Sequence, residues 1–265
     1  WDYAAYADWR RQQAPVDAKA LADEAHRFHF HPSVSLLMAV GQVQGRALEA
    51  SLKAIQNQSY QEWELCLSVS QERELALRTM LRRCRISEDR VRLLTAQEAG
   101  WPVLLAQASG DFFGLVEAGD VLEADALHQV VKALNQTPDT DLFYTDEDRM
   151  TADGRRLLAP HFKPEWSPDT LMSLPYTGHF LVIRRAAALE VGGFRKGRDP
   201  FLAYDLVLRM AERSQRIRHL PKVLYHWRIV PGREPGMRHG SVPPPSLLRM
   251  KQDALERQGR AAWIE

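Results

Sequence analysis

Val34-Ser35-Leu36-Leu37-Met38-Ala39-Val40, set between Pro32-Ser33 and Gly41, is the stretch on which the fold turns. It is short, apolar on nearly every side chain and closed by glycine. That combination reads as a strand covered on both faces of a parallel sheet. The pattern then repeats. Arg46 to Gln58 carries Leu48, Leu52 and Ile55 at helical spacing. Trp63-Glu64-Leu65-Cys66-Leu67-Ser68-Val69 is a second strand, Glu72 to Arg85 a second helix, and Arg90 to Leu94 a third strand. Pro102 to Ala108 gives a short helix before the strand Phe112 to Val116. Strands alternating with helices define an α/β fold with an open, doubly wound, mostly parallel sheet flanked by helices. Ligands of such sheets bind at the carboxyl ends of the strands.

The C-terminal half is less regular. Ala124 to Asn135 reads as a helix, and Leu142 to Thr145 as a strand ending in Asp146-Glu147-Asp148. A hairpin is expected around Asp153-Gly154, then a strand at Phe180 to Ile183, a helix at Tyr204 to Glu212 and a strand at Val223 to Arg228. Pro231 to Pro245 is rich in Pro, Gly and Arg and reads as a loop, and Ser246 to Gly259 as a closing helix. Residues 1–31 form a helical leader whose aromatic residues are expected to pack on the domain or on a neighbour; residues 32–265 form the domain itself. The chain begins at Trp1 without an initiator Met, which reads as a fragment of a larger multidomain protein.

Composition narrows the partners. Hydrophobic residues at 45% support a sizeable core, and a formal net charge of +1 gives no global drive towards nucleic acid or membrane. Arg82, Arg83 and Arg85 read as a solvated helix face. The two cysteines, Cys66 and Cys84, do not make a disulfide framework and fit free thiols in a reducing compartment. No apolar run approaches the roughly 18 residues that span a bilayer.

A series of motifs follows this order of elements: Gln58-Ser59-Tyr60-Gln61-Glu62-Trp63-Glu64-Leu65-Cys66, Tyr144-Thr145-Asp146-Glu147-Asp148, Phe162-Lys163-Pro164-Glu165-Trp166-Ser167-Pro168-Asp169, Gly178-His179, Val191-Gly192-Gly193-Phe194-Arg195, Tyr204-Asp205-Leu206-Val207-Leu208-Arg209 and Leu224-Tyr225-His226-Trp227-Arg228. Together they resemble the family 2 glycosyltransferases of the GT-A fold, of the bacterial surface-polysaccharide type. The resemblance implies inverting transfer of a sugar from a nucleoside diphosphate donor to a glycan hydroxyl. It also implies Mn2+ or Mg2+ on the diphosphate and a carboxylate base for the hydroxyl proton.

The same resemblance implies where the chain departs from the family. The nucleotide positions hold Val69, Ser70 and Pro102. The metal motif reads Glu117-Ala118-Gly119-Asp120, with Gly119 in place of a ligand and Glu117 and Asp120 as the remaining candidates. The base position holds Ala203, preceded by Leu202; Asp205 and Asp199 are the nearby carboxylates. Asp146, Glu147, Asp148, Trp166, His179, His226 and Arg228 are retained and are candidates for the acceptor side. The expectation is a catalytically degenerate domain of polysaccharide assembly, serving in docking, acceptor positioning or support of an adjacent catalytic domain. The rivals are an active inverting transferase, with Asp205 or Asp199 as base and the Arg233 to His239 segment closing on the donor, and a nucleotide-independent glycan-binding module. A cytoplasmic location is expected, at the inner face of the membrane if the parent protein or its partners place it there.

Overall fold

The structure, a computed structural model, describes residues 3–13, 17–95, 100–196, 201–230 and 243–260. The strands are β1 (Val34–Ala39), β2 (Trp63–Val69), β3 (Val91–Thr95), β4 (Phe112–Leu115), β5 (Val121–Leu122), β6 (Leu142–Met150), β7 (Leu157–His161), β8 (Leu181–Arg184) and β9 (Ile217–Arg228). The helices are α1 (Tyr3–Gln12), α2 (Ala18–Ala25), α3 (Gly45–Gln56), α4 (Glu74–Arg83), α5 (Trp101–Gln107), α6 (Ala126–Gln136), α7 (Pro168–Ser173), α8 (Arg185–Glu190), α9 (Leu202–Ala211) and α10 (Pro245–Arg257).

One mixed sheet runs β3-β2-β1-β4-β8-β6-β9-β5, with β7 added on β6. Its first four strands are parallel, and β6 is parallel to β9. The antiparallel pairings gather in the C-terminal half, where β8 joins β4 to β6. Alternate residues of β1 supply opposite cores: Leu36 and Met38 pack with Leu52, Ile55 and Leu67, while Leu37 packs with Cys66, Phe113 and Leu206. That two-sided burial is why the strand is almost continuously apolar. The chain runs from β1 outward through β2 and β3, then returns to the other side of β1 as β4, so the switch point lies at the carboxyl ends of β1 and β4.

Two strands differ from the sequence reading. β6 does not end in the acidic run Asp146-Glu147-Asp148 but continues through it to Met150, and β9 begins at Ile217 rather than Val223. The two strands pair along their length, with register shifts between Thr145 and Glu147 that absorb the irregularity. The segment 231–242, most of the loop read from the sequence, lies outside the described residues. No helix among the described residues is long and apolar enough to cross a membrane.

Helix α1 packs on β7. Its Trp9 meets Phe162 edge to face, with ring centroids 5.6 Å apart, and the Tyr6 hydroxyl donates to Asp148 Oδ2 at 2.5 Å in the interior. The Tyr6→Phe change removes a buried hydrogen bond to a charged acceptor. It should lower the unfolding free energy by about 2 kcal/mol, read from urea denaturation.

Candidate functional site

The carboxyl ends of β1, β2 and β4 meet where a ligand of this fold would sit. Val69, the last residue of β2, is buried, and Ser70 is half-buried at the start of the turn that follows. Pro102 stands in the first turn of α5, where a missing amide hydrogen costs nothing. Arg73 crosses between loops: its guanidinium donates to the Gly41 carbonyl and, at 2.5 Å, to that of Val43. The loops after β1 and β2 are therefore tied together by one cation.

Residues 117–120 form a turn closed by the Asp120 amide on the Glu117 carbonyl, 3.1 Å. Gly119 donates its amide to Ser51 Oγ, which in turn donates to the Asp120 carbonyl. Asp120 is fully buried. Its Oδ2 accepts from the Tyr225 hydroxyl at 2.7 Å and its Oδ1 from the Arg228 amide at 2.9 Å. The same Tyr225 oxygen accepts from the Glu117 amide at 3.0 Å, and Arg228 Nε donates to the Gly119 carbonyl at 2.6 Å. The turn is thus sewn to β9 by Tyr225 and Arg228. Glu117 is half-buried. Among the described residues no three His, Cys, Asp or Glu side chains converge as a metal site.

Ala203 is partly buried against the core on α9, with Leu202 buried before it. Asp205 is fully buried, and its Oδ2 accepts from Arg209 Nε and Nη2 at 2.9 and 2.7 Å. Arg195 approaches Oδ1 at 3.4 Å. Arg209 goes on to the carbonyls of Val191 and Gly193, so this carboxylate fixes the turn after α8 onto α9. Asp199 lies outside the described residues.

The acidic run is buried and internally paired. Asp146 accepts from the Lys163 amide and contacts His219 Nε2, both at 2.8 Å. Glu147 meets Lys163 Nζ at 3.1 Å and His179 Nδ1 at 3.0 Å. Burial would raise this carboxyl, but Lys163 and His179 hold it well below its usual range. Asp148 faces His226 Nδ1 at 2.6 Å, and Glu123 faces His226 Nε2 at 3.0 Å. Burial would lower His226, yet the two carboxylates outweigh it and lift the imidazole to about 9. Glu123 answers in kind: burial would raise it, but His226 and Arg10 pull it down to about 2. Trp166 packs beside Tyr144 and Tyr176, and the buried Arg228 also reaches the Ala152 carbonyl. Sequence reasoning did not single out Glu123, Lys163, Tyr225 or Arg73. Lys163 and Tyr225 lie inside quoted motifs; Arg73 and Glu123 carry no local signal.

No protein-family model matches the chain. It is 36% identical over 230 residues to the O-antigen biosynthesis protein RfbC of Myxococcus xanthus, an alignment covering 85% of this chain and 18% of that protein. The chain therefore spans about a fifth of that relative's length. The S. aureus TarS 1-349 structure in complex with UDP-GlcNAc superposes with a TM-score of 0.63 at 16% identity, covering 84% of this chain and 66% of that one. The mannosyltransferase PcManGT of Pyrobaculum calidifontis, in complex with GDP-Man and Mn2+, gives 0.56 at 16% identity, covering 93% and 84%. The architecture is the GT-A fold. Within it, the chain belongs to the family 2 glycosyltransferases.

Proposed function

We propose that this chain is a family 2 domain of polysaccharide assembly that has given up its own transfer chemistry and serves to dock or position a glycan acceptor or an adjacent catalytic domain. The observation that carries this reading is the commitment of Asp120. Its two carboxylate oxygens already accept from Tyr225 and Arg228, and Gly119 offers no ligand. A divalent cation needs several oxygen donors, and this donor set, one half-buried Glu117 carboxylate, does not fit one. The base position is an alanine, and loss of a general base alone slows such a step by about two to four powers of ten. The relative's name, O-antigen biosynthesis protein, supports the polysaccharide context, and a cytoplasmic setting follows from that reading.

Calorimetric titration of the chain with UDP-GlcNAc or GDP-mannose, each with Mn2+, tests it. No saturable binding tighter than millimolar is expected. Micromolar binding with donor turnover that disappears in Glu117→Ala would establish an active transferase instead.

A further inference from the structure

His179 is held with more support than a core histidine needs. Its Nδ1 lies 3.0 Å from Glu147 Oε1, and its own backbone amide donates to Glu147 Oε2 at 2.9 Å. Glu147 is fixed in turn by Lys163, whose buried ammonium also donates to the carbonyls of Thr145 and Thr177. His161 Nδ1 approaches the same Oε1 at 3.8 Å and is half exposed. A carboxylate can only accept, so His179 Nδ1 carries hydrogen and the ring is held in one orientation. The side chain is 25% exposed, and Nε2 has no partner among the described residues. The ring lies parallel to those of Tyr225 and Trp227, at 5.9 and 5.5 Å. Tyr225 places it beside the Glu117 turn, at the carboxyl ends of the strands.

We propose that His179 Nε2, on a ring oriented by Glu147 and Lys163 and flanked by His161, is a hydroxyl-binding position for a glycan chain, independent of nucleotide and metal. A sugar hydroxyl both donates and accepts, so it satisfies Nε2 whether the ring is neutral or charged. Glu147 favours the charged form against the burial that opposes it, making Nε2 a donor to a sugar oxygen. This inference rests on the acceptor-positioning reading above and names the group that would do the positioning.

The test is a titration of the 265-residue chain with hyaluronan- and mannan-derived oligosaccharides, followed by the histidine ring signals in long-range nitrogen–proton NMR. The His179 Nε2 signal should move with added oligosaccharide. His179→Gln, whose amide reaches the Nε2 place, should keep affinity within about threefold, while His179→Asn, which keeps the Glu147 contact but nothing beyond it, should lose about tenfold. A purely structural histidine would give the opposite order, in melting temperature and without any affinity change. An Nε2 signal unmoved by every oligosaccharide, or equal affinities for His179→Asn and wild type, overturns the subsite and leaves the non-catalytic reading standing. A shift on adding UDP-GlcNAc with Mn2+ would instead overturn that reading.

Discussion

Replacing Gly178 by alanine is expected to lower the unfolding free energy by about 3 kcal/mol or more. Gly178 has φ +74°, a region that L side chains adopt at a cost, and an added Cβ would lie 2.5 Å from Glu147 Oε2 and closer still to Lys163 Nζ. Neither neighbour is free to swing aside. Lys163 is pinned by two carbonyls and a carboxylate, and Glu147 by Lys163 and by the ring and amide of His179. Gly192→Ala is the matched control, because Gly192 has φ +88° with nothing within 4 Å of the added carbon. It should cost only the backbone strain, about 1–2 kcal/mol. Urea denaturation of both variants separates the two contributions. A Gly178→Ala loss no larger than the control's would mean that the Lys163–Glu147 contact yields, and the claim of a rigid support beneath His179 would fall.

The second large effect is expected at His226. His226→Ala leaves Asp148 and Glu123 without the cation that lies between them, and should cost about 3–5 kcal/mol. The pH dependence identifies the cause. The folded imidazole is raised from 6.5 to about 9, so its contribution is complete below about pH 6.5 and disappears as pH climbs through about 9. That rise is worth about 3 kcal/mol. The carboxyl of Glu123 is depressed from 4.5 to about 2, so its share is complete above 4.5 and is lost as pH falls through about 2. The His226–Glu123 contact enters both shifts and counts once; Arg10 supplies the rest of the Glu123 shift and remains in the variant. Denaturation of wild type and variant should therefore differ most between pH 4.5 and 6.5 and converge by several-fold near pH 10. A gap that stays constant across that range would assign the loss to packing instead.

What was legible in the sequence follows the range of the interactions involved. The limits of β1 and β2 were readable within a residue because their burial is two-sided and their apolar runs are closed by glycine and serine. The Asp153-Gly154 hairpin was readable from its turn residues and is present between β6 and β7. Asp146, Glu147 and Asp148 looked like a strand end because three carboxylates in a row resist burial. They are buried because Lys163, His179, His219, His226 and Tyr6 converge on them from distant parts of the chain. No local pattern encodes such partners. Asp205, read from the sequence as a candidate base, sits in the first turn of α9 and pairs with Arg209 four residues on, a local pairing that sequence reasoning did not use. The commitment of Asp120 to Tyr225 and the loop-joining role of Arg73 exist only in the folded chain.

The hydroxyl of Tyr225, shared between the Glu117 amide and the Asp120 carboxylate, has a consequence for how such a domain changes over time. Freeing Asp120 for a cation would first break that bond and strand a charged group in the interior, before any new ligand is in place to compensate. A lone Gly119→Asp change leaves the bond intact and adds a second acid beside it. On the non-catalytic reading proposed above, each single step towards a metal site would pass through a less stable protein, so that loss would act as a ratchet: easy to enter by drift, hard to leave one mutation at a time.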